Sequence, residues 1–276
     1  AKDSSGQGKA SASSSKGRDL FLSDDHLFNH LMPTLRTAFM GRPQHRDMLQ
    51  VQLDFCTQRP QLTQSDLLAS LKALSTVPVE DVKVDVIQGL FNMLQGGGEA
   101  IKSGWPAVVD LIAAVPISMC TSRSNEWNFS SRMGANADAG ADAASGPGVK
   151  EPWPRESLAV AFSSMKLIVD DFLELLDVSI FKDIILCLSV FGAQESDVNI
   201  SLTAVEMLWK VVDFVMCMET GQLESAQKVE ILDMTMFRLL ALSQDQRPEI
   251  RNCATNTLFT SMVANTALFT SDHWQR

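Results

Sequence analysis

Positive charge is scarce in this 276-residue sequence: 23 lysines and arginines stand against 33 aspartates and glutamates, a formal net charge of −10. This argues against nucleic-acid binding, because phosphate contacts need a basic patch that releases counterions. It bears less on membranes, where a local basic cluster would suffice, although no such run stands out. Paired cysteines are missing too. Cys56, Cys120, Cys187, Cys217 and Cys253 are widely spaced, with no CxxC for zinc and no disulfide framework, and read as reduced thiols of a cytosolic protein. The longest apolar stretch, Gly104 to Cys120, is interrupted by Trp105-Pro106, Asp110 and Pro116 and will not span a bilayer. The N-terminus has no apolar signal core, and the chain reads as a piece of something longer. Val-Ile-Thr runs bounded by hairpin turns are absent, so essentially no sheet is expected.

What is present is helical pattern, at 45% hydrophobic content. Residues 1–17, rich in Ser, Gly, Ala and Lys, read as a flexible tail or linker. Residues 18–120 read as helical repeats, with helices over Ser23–Phe39, Arg46–Gln58, Ser65–Ser75, Val79–Gln95 and Trp105–Ile117. Residues 121–154, including "GANADAGADAASGPG", are too poor in large apolar residues to pack and read as a disordered insertion. Residues 155–276 continue the same solenoid, with helices over Arg155–Leu176, Ile180–Phe191, Asp197–Met218, Ser225–Leu242 and Pro248–Asn265. Ser196 or Asp197 is placed to cap one of these, and Pro248 suits a first helical turn.

The segment "SDVNISLTAVEMLWKVVDFV" from Ser196 shows why stacking is expected. Asn199, Thr203, Glu206, Lys210 and Asp213 form one thin polar line at helical spacing. Ile200, Ala204, Met207, Val211 and Phe214 form an apolar line beside it, and Val198, Leu202, Val205, Trp209 and Val212 another. Likewise, Ser163, Lys166, Asp170, Glu174 and Asp177 oppose Leu158, Phe162, Met165, Val169, Phe172 and Leu176. A helix apolar on two faces must be packed on two sides, as the inner helix of a solenoid hairpin is. Four helices align without gaps: "VKVDVIQGLF" from Val82, "LAVAFSSMKL" from Leu158, "ISLTAVEMLW" from Ile200 and "IRNCATNTLF" from Ile250. This is the pattern of the second helix in repeats of roughly 40–47 residues. The expected architecture is an all-α, HEAT/armadillo-like α-solenoid; an irregular helical bundle with shared amphipathic periods is the alternative.

Candidate chemistry is sparse. His26 and His30, beside Asp24 and Asp25, have metal-ligand spacing but no HExxH, and read as surface polar residues. "GQGKAS" (6–11) lacks the first P-loop glycine and a preceding strand. "QGGGEA" (95–100) offers backbone amides to a phosphate but reads better as a helix-ending turn. Asp170 and Asp171 diverge by about 100° on a helix, so they share no acid–base site; Asp171 falls near the apolar face, where a structural hydrogen bond is expected. The sequons at Asn128 and Asn199 matter only in a secreted protein. "NEWNFSSRM" (125–133) is an aromatic island of the kind that folds on a partner, weighed against an incidental occurrence. No GxSxG or other hydrolase or kinase signature occurs. No catalytic, cofactor-binding or metal site emerges, and the expectation is a protein that is not an enzyme. A deep pocket with converging polar residues would point to an orphan helical enzyme instead.

Four strings, "IKSGWPAVVDLI" from Ile101, "LAVAFSSMKLIVDDFL" from Leu158, "NISLTAVEMLW" from Asn199 and "QRPEIRNCATNTLF" from Gln246, occur in an order and spacing that resemble the HEAT/armadillo region of the Sec7-related Golgi proteins. The likeness covers roughly Val79–Ile117 and Arg155–Phe269, and the Asn-Ile-Ser-Leu-Thr-Ala and Val-Asp-Asp-Phe-Leu runs resemble the Mon-two family most. The Ala/Gly/Ser-rich insertion departs from that pattern. The resemblance implies a non-catalytic scaffold, peripheral on trans-Golgi and endosomal membranes through its partners. Those would be an Arf or Arf-like GTPase or a Dopey-type protein, without nucleic acid, cofactor or transmembrane segment. The alternative it leaves is the regulatory C-terminal HEAT domain of a large Sec7-type Arf exchange factor. As structural residues, Trp105, Trp209 and Phe162 fit core packing, and Arg251, at a helix start, is placed to form the inter-repeat hydrogen bond that HEAT arginines often make.

Overall fold

The computed structural model describes residues 68, 71–72, 74–76, 79–120, 152–219 and 223–266. The 1–17 tail, the expected helices at Ser23–Phe39 and Arg46–Gln58, most of Ser65–Ser75 and residues 121–151 of the expected insertion lie outside them. Among the described residues seven α-helices follow in order: α1 Glu80–Gly97, α2 Trp105–Ile117, α3 Glu156–Leu167, α4 Val178–Ala193, α5 Val198–Cys217, α6 Ser225–Leu242 and α7 Pro248–Ala264. No strand occurs among the described residues. Helix α3 does not run unbroken to Leu176 as expected. It passes into a π-turn at Ile168–Phe172 and a 3-10 turn at Leu173–Leu175.

The helices stack in two layers. One layer contains α1, α3, α5 and α7, the other α2, α4 and α6; α2 with α3, α4 with α5, and α6 with α7 form the hairpins that cross between them. The four aligned segments starting at Val82, Leu158, Ile200 and Ile250 lie on α1, α3, α5 and α7, all members of one layer. The chain is therefore the all-α solenoid that the repeat pattern implies. At the fifth aligned position Val86, Phe162, Ala204 and Ala254 are all buried, since each meets the opposite layer or a neighbouring repeat.

Local signals explain the helix ends. Asp197 sits in extended backbone and its carboxylate accepts from the amides of Asn199 (2.8 Å) and Ile200 (3.2 Å), capping α5. Pro248 opens α7, where its missing N–H costs nothing. The Gly96-Gly97-Gly98 run does not stop α1 at Gln95: the helix continues through Gly97, and Gly98 begins a 3-10 turn ending at Ala100.

Aromatic pairs tie successive helices together: Trp105 on α2 with Phe172 of the π-turn (5.6 Å), Phe162 on α3 with Phe191 on α4 (5.3 Å), and Phe181 on α4 with Phe214 on α5 (6.0 Å). Such pairs contribute about 0.5–1.5 kcal/mol each beyond their burial. Gly192 lets α4 and α6 approach, because a Cβ there would lie 3.1 Å from Leu242. Trp105 is buried, and Phe162 is 8% exposed. Trp209 differs from the expectation: it is only half-buried, although Val205 and Val212 on the same line of α5 are fully buried.

Candidate interaction surface

The polar lines of α3 and α5 face solvent. Ser163, Lys166, Asp170, Glu174 and Asp177 are all exposed, as are Asn199, Glu206, Lys210 and Asp213, with Thr203 half-buried. The apolar line from Leu158 to Leu176 is buried throughout. An ion pair of 2.5 Å from Lys210 to Asp170 joins the two polar lines across adjacent repeats. The exposed polar lines that begin on α3 and α5 thus meet at this pair on one layer of the stack.

A cleft of about 700 Å³ lies where the end of α1 meets the π-turn after α3. Leu94, Leu167 and Phe172 supply apolar wall, and Glu99 and Asp171 bring carboxylates to it. Asp171 is exposed here rather than held near the apolar face. A π-turn holds one more residue per turn than an α-helix, so counting at 3.6 residues misplaces it. The Gly-rich run lines the same cleft, but as a helix C-terminus: the Gly98 amide donates to the Leu94 carbonyl. Free amides for a phosphate are therefore not what this end displays; it carries the negative end of the helix dipole. A Cβ on Gly98 would stand 2.4 Å from Phe172 Cζ, so the absence of a side chain is what lets that ring close against the turn.

A part-buried polar node of the stack lies elsewhere. Arg247, just before α7, donates from Nη1 to the Gln194 carbonyl (2.7 Å) and to Ser201 Oγ (3.2 Å), and from Nη2 to the Gly192 carbonyl (3.0 Å). Asp245 orients it through Nε (2.9 Å) and Nη2 (3.0 Å). Gln194 is fully buried; its amide oxygen accepts from the amides of Ser196 and Asp197, and its Nε2 donates to Ser201 Oγ. The inter-repeat arginine is therefore Arg247, not Arg251, which donates only to the nearby carbonyls of Asp245 and Gln246. Arg247 belongs to the same Arg-Pro-Glu-Ile-Arg string; its position before the proline, in extended backbone, aims it back at the preceding repeat.

Three of the described thiols are held toward the protonated form. Burial, reinforced by Glu195 and opposed by Arg247, pushes Cys120 up to about 11. Burial likewise raises Cys187, with Asp110 and Asp183 adding to it, and Cys253, with Glu206 adding. Cys120, Cys187, Cys217 and Cys253 are all free. No group of three or more His, Cys, Asp and Glu that could hold a metal occurs among the described residues. Among the same residues no helix is long and apolar enough to cross a membrane. His26, His30, the "GQGKAS" string and the 125–133 aromatic island lie outside the described residues.

No family model matches the chain, and no solved structure matches it. Curated relatives do. A Drosophila melanogaster protein named as a MON2 homolog is 28% identical over 233 residues, 77% of this chain and 12% of its own length. The Xenopus laevis MON2 homolog is 23% identical over 273 residues, covering 88% and 14% respectively, and the human MON2 homolog is 23% identical over 235 residues, covering 75% and 12%. The chain thus spans about an eighth of the length of these relatives. Over three quarters or more of its length, the chain thus resembles the MON2 homologs of fly, frog and human.

Proposed function

We propose that this segment is a non-catalytic scaffold of a Mon2-like protein in endosome–Golgi membrane traffic. On this reading it binds an Arf or Arf-like GTPase or a Dopey-type partner and lies on trans-Golgi and endosomal membranes through those partners. The observation that carries the reading is the pairing of the Mon2 relatives with a two-layer solenoid that exposes the polar lines of α3 and α5 on one layer. Fold alone does not establish function; the family supplies the step to traffic. That the relatives carry the Mon2 name favours the scaffold over the regulatory domain of an Arf exchange factor.

The test is a pull-down of the purified chain against Arf and Arf-like GTPases, each loaded with GDP or a non-hydrolysable GTP analogue, with a Dopey-type protein in parallel. Capture of a GTP-loaded form alone marks an effector-type surface, and capture of the Dopey-type protein alone marks a partner platform. Capture of neither overturns the binding part of the proposal.

A further inference from the structure

We propose that the cleft between the end of α1 and the π-turn after α3 is a docking site for a lysine or arginine carried on an apolar peptide segment of a partner protein. Three observations converge there. The walls are apolar at Leu94, Leu167 and Phe172, and the polar contributions include the carboxylates of Glu99 and Asp171. Both acids are exposed, neither is ion-paired among the described residues, and no lysine or arginine lines the cleft. Helix α1 ends at the cleft with no basic residue in its last turn, so the negative end of its dipole is uncompensated by its own side chains.

A long basic side chain matches this arrangement in both of its parts. Its methylene stem covers apolar surface while its cationic head stays with carboxylates and water. A volume of about 700 Å³ exceeds one side chain and falls within the range of specific ligand sites, so residues flanking the cation are accommodated too. The chain's formal charge of −10 favours the approach of a basic segment at long range. The π-turn that exposes Asp171 and the Gly98–Phe172 contact that shapes the wall are both unusual local features, and π-turns recur at functional positions.

The inference rests on reading this segment as a protein-binding scaffold, and its test is separable from that reading. A displayed library of random dodecapeptides is selected on the 276-residue chain, and the winners are measured by fluorescence polarisation against wild type and the Glu99→Gln/Asp171→Asn double variant. Enriched peptides should carry Arg or Lys next to Leu, Ile or Phe. Their affinity should fall at least tenfold in the double variant, whose melting temperature stays unchanged because both side chains are exposed. No enrichment, enrichment of uncharged or acidic peptides, or affinity retained in the double variant overturns the proposal. A positive GTPase pull-down beside any of those results would leave the scaffold reading standing and place its binding on another face.

Discussion

Arg247 holds the main-chain oxygen of Gln194, one repeat earlier, at 2.7 Å, and the same guanidinium reaches Gly192, Ser201 and Asp245. Its hydrogen bonds join the start of α7 to the turn between α4 and α5. Arg247→Ala leaves the carbonyls of Gln194 and Gly192 without this donor in a part-buried site and should cost about 2–4 kcal/mol. Arg251→Ala removes only local bonds and should cost less than about 1 kcal/mol. Urea denaturation at constant m-value orders the two; equal midpoints would contradict the assignment.

Gly98→Ala places a methyl group 2.4 Å from Phe172 Cζ. In an isolated helix the same change would be favourable, so a loss isolates the tertiary contact. The expected cost is about 1–3 kcal/mol, partly recovered when Phe172→Leu is combined with it. A double-mutant cycle on thermal stability measures the coupling.

Trp105 and Trp209 look alike in the sequence and differ in the stack. Trp105 is 1% exposed and contacts Phe172, so Trp105→Ala should cost about 3–5 kcal/mol. Trp209 is only half-buried, and Trp209→Ala should cost less than half of that, read from the same denaturation curves.

The ion pair between Lys210 and Asp170 joins side chains that are 52% and 37% exposed. Exposed pairs of this kind contribute about 0.2–1 kcal/mol and are screened by salt. Lys210→Ala should therefore shift the urea midpoint only slightly, with the difference vanishing in 1 M salt.

The Cys120 thiol has a folded pKa of about 11 against an ordinary value of 9.0. Above pH 9 the unfolded chain loses a proton that the folded chain keeps, so its contribution is full below about pH 9 and is lost as pH rises toward 11. Stability should fall across that window more steeply in wild type than in Cys120→Ser. Urea midpoints at pH 8, 9.5 and 10.5 provide the comparison.

The layered stack was legible because its signal is periodic. The lines Asn199–Asp213 and Ser163–Asp177 repeat at helical offsets, and each ends up at solvent with buried residues behind it. What escaped sequence reading depends on backbone course rather than period. Asp171 was misplaced because one extra residue in the π-turn changes the count. Arg251 drew the expected bond because it lies on the helix; Arg247, four positions earlier, precedes the helix, where the folded turn decides its direction. The cleft at Glu99 and Asp171 joins residues more than seventy positions apart. No local string announces that meeting; the packing of α1 against α3 creates it.

On the far edge of the stack, the Trp153 amide donates to Ser118 Oγ at 3.1 Å, and Lys83 Nζ reaches the Pro152 carbonyl at 3.4 Å. The backbone that departs after α2 and the backbone that re-enters before α3 are thus clamped at one spot. That clamp fixes where the chain leaving α2 lies relative to the chain entering α3, so the hairpin of α2 and α3 is closed at its base as well as along its length.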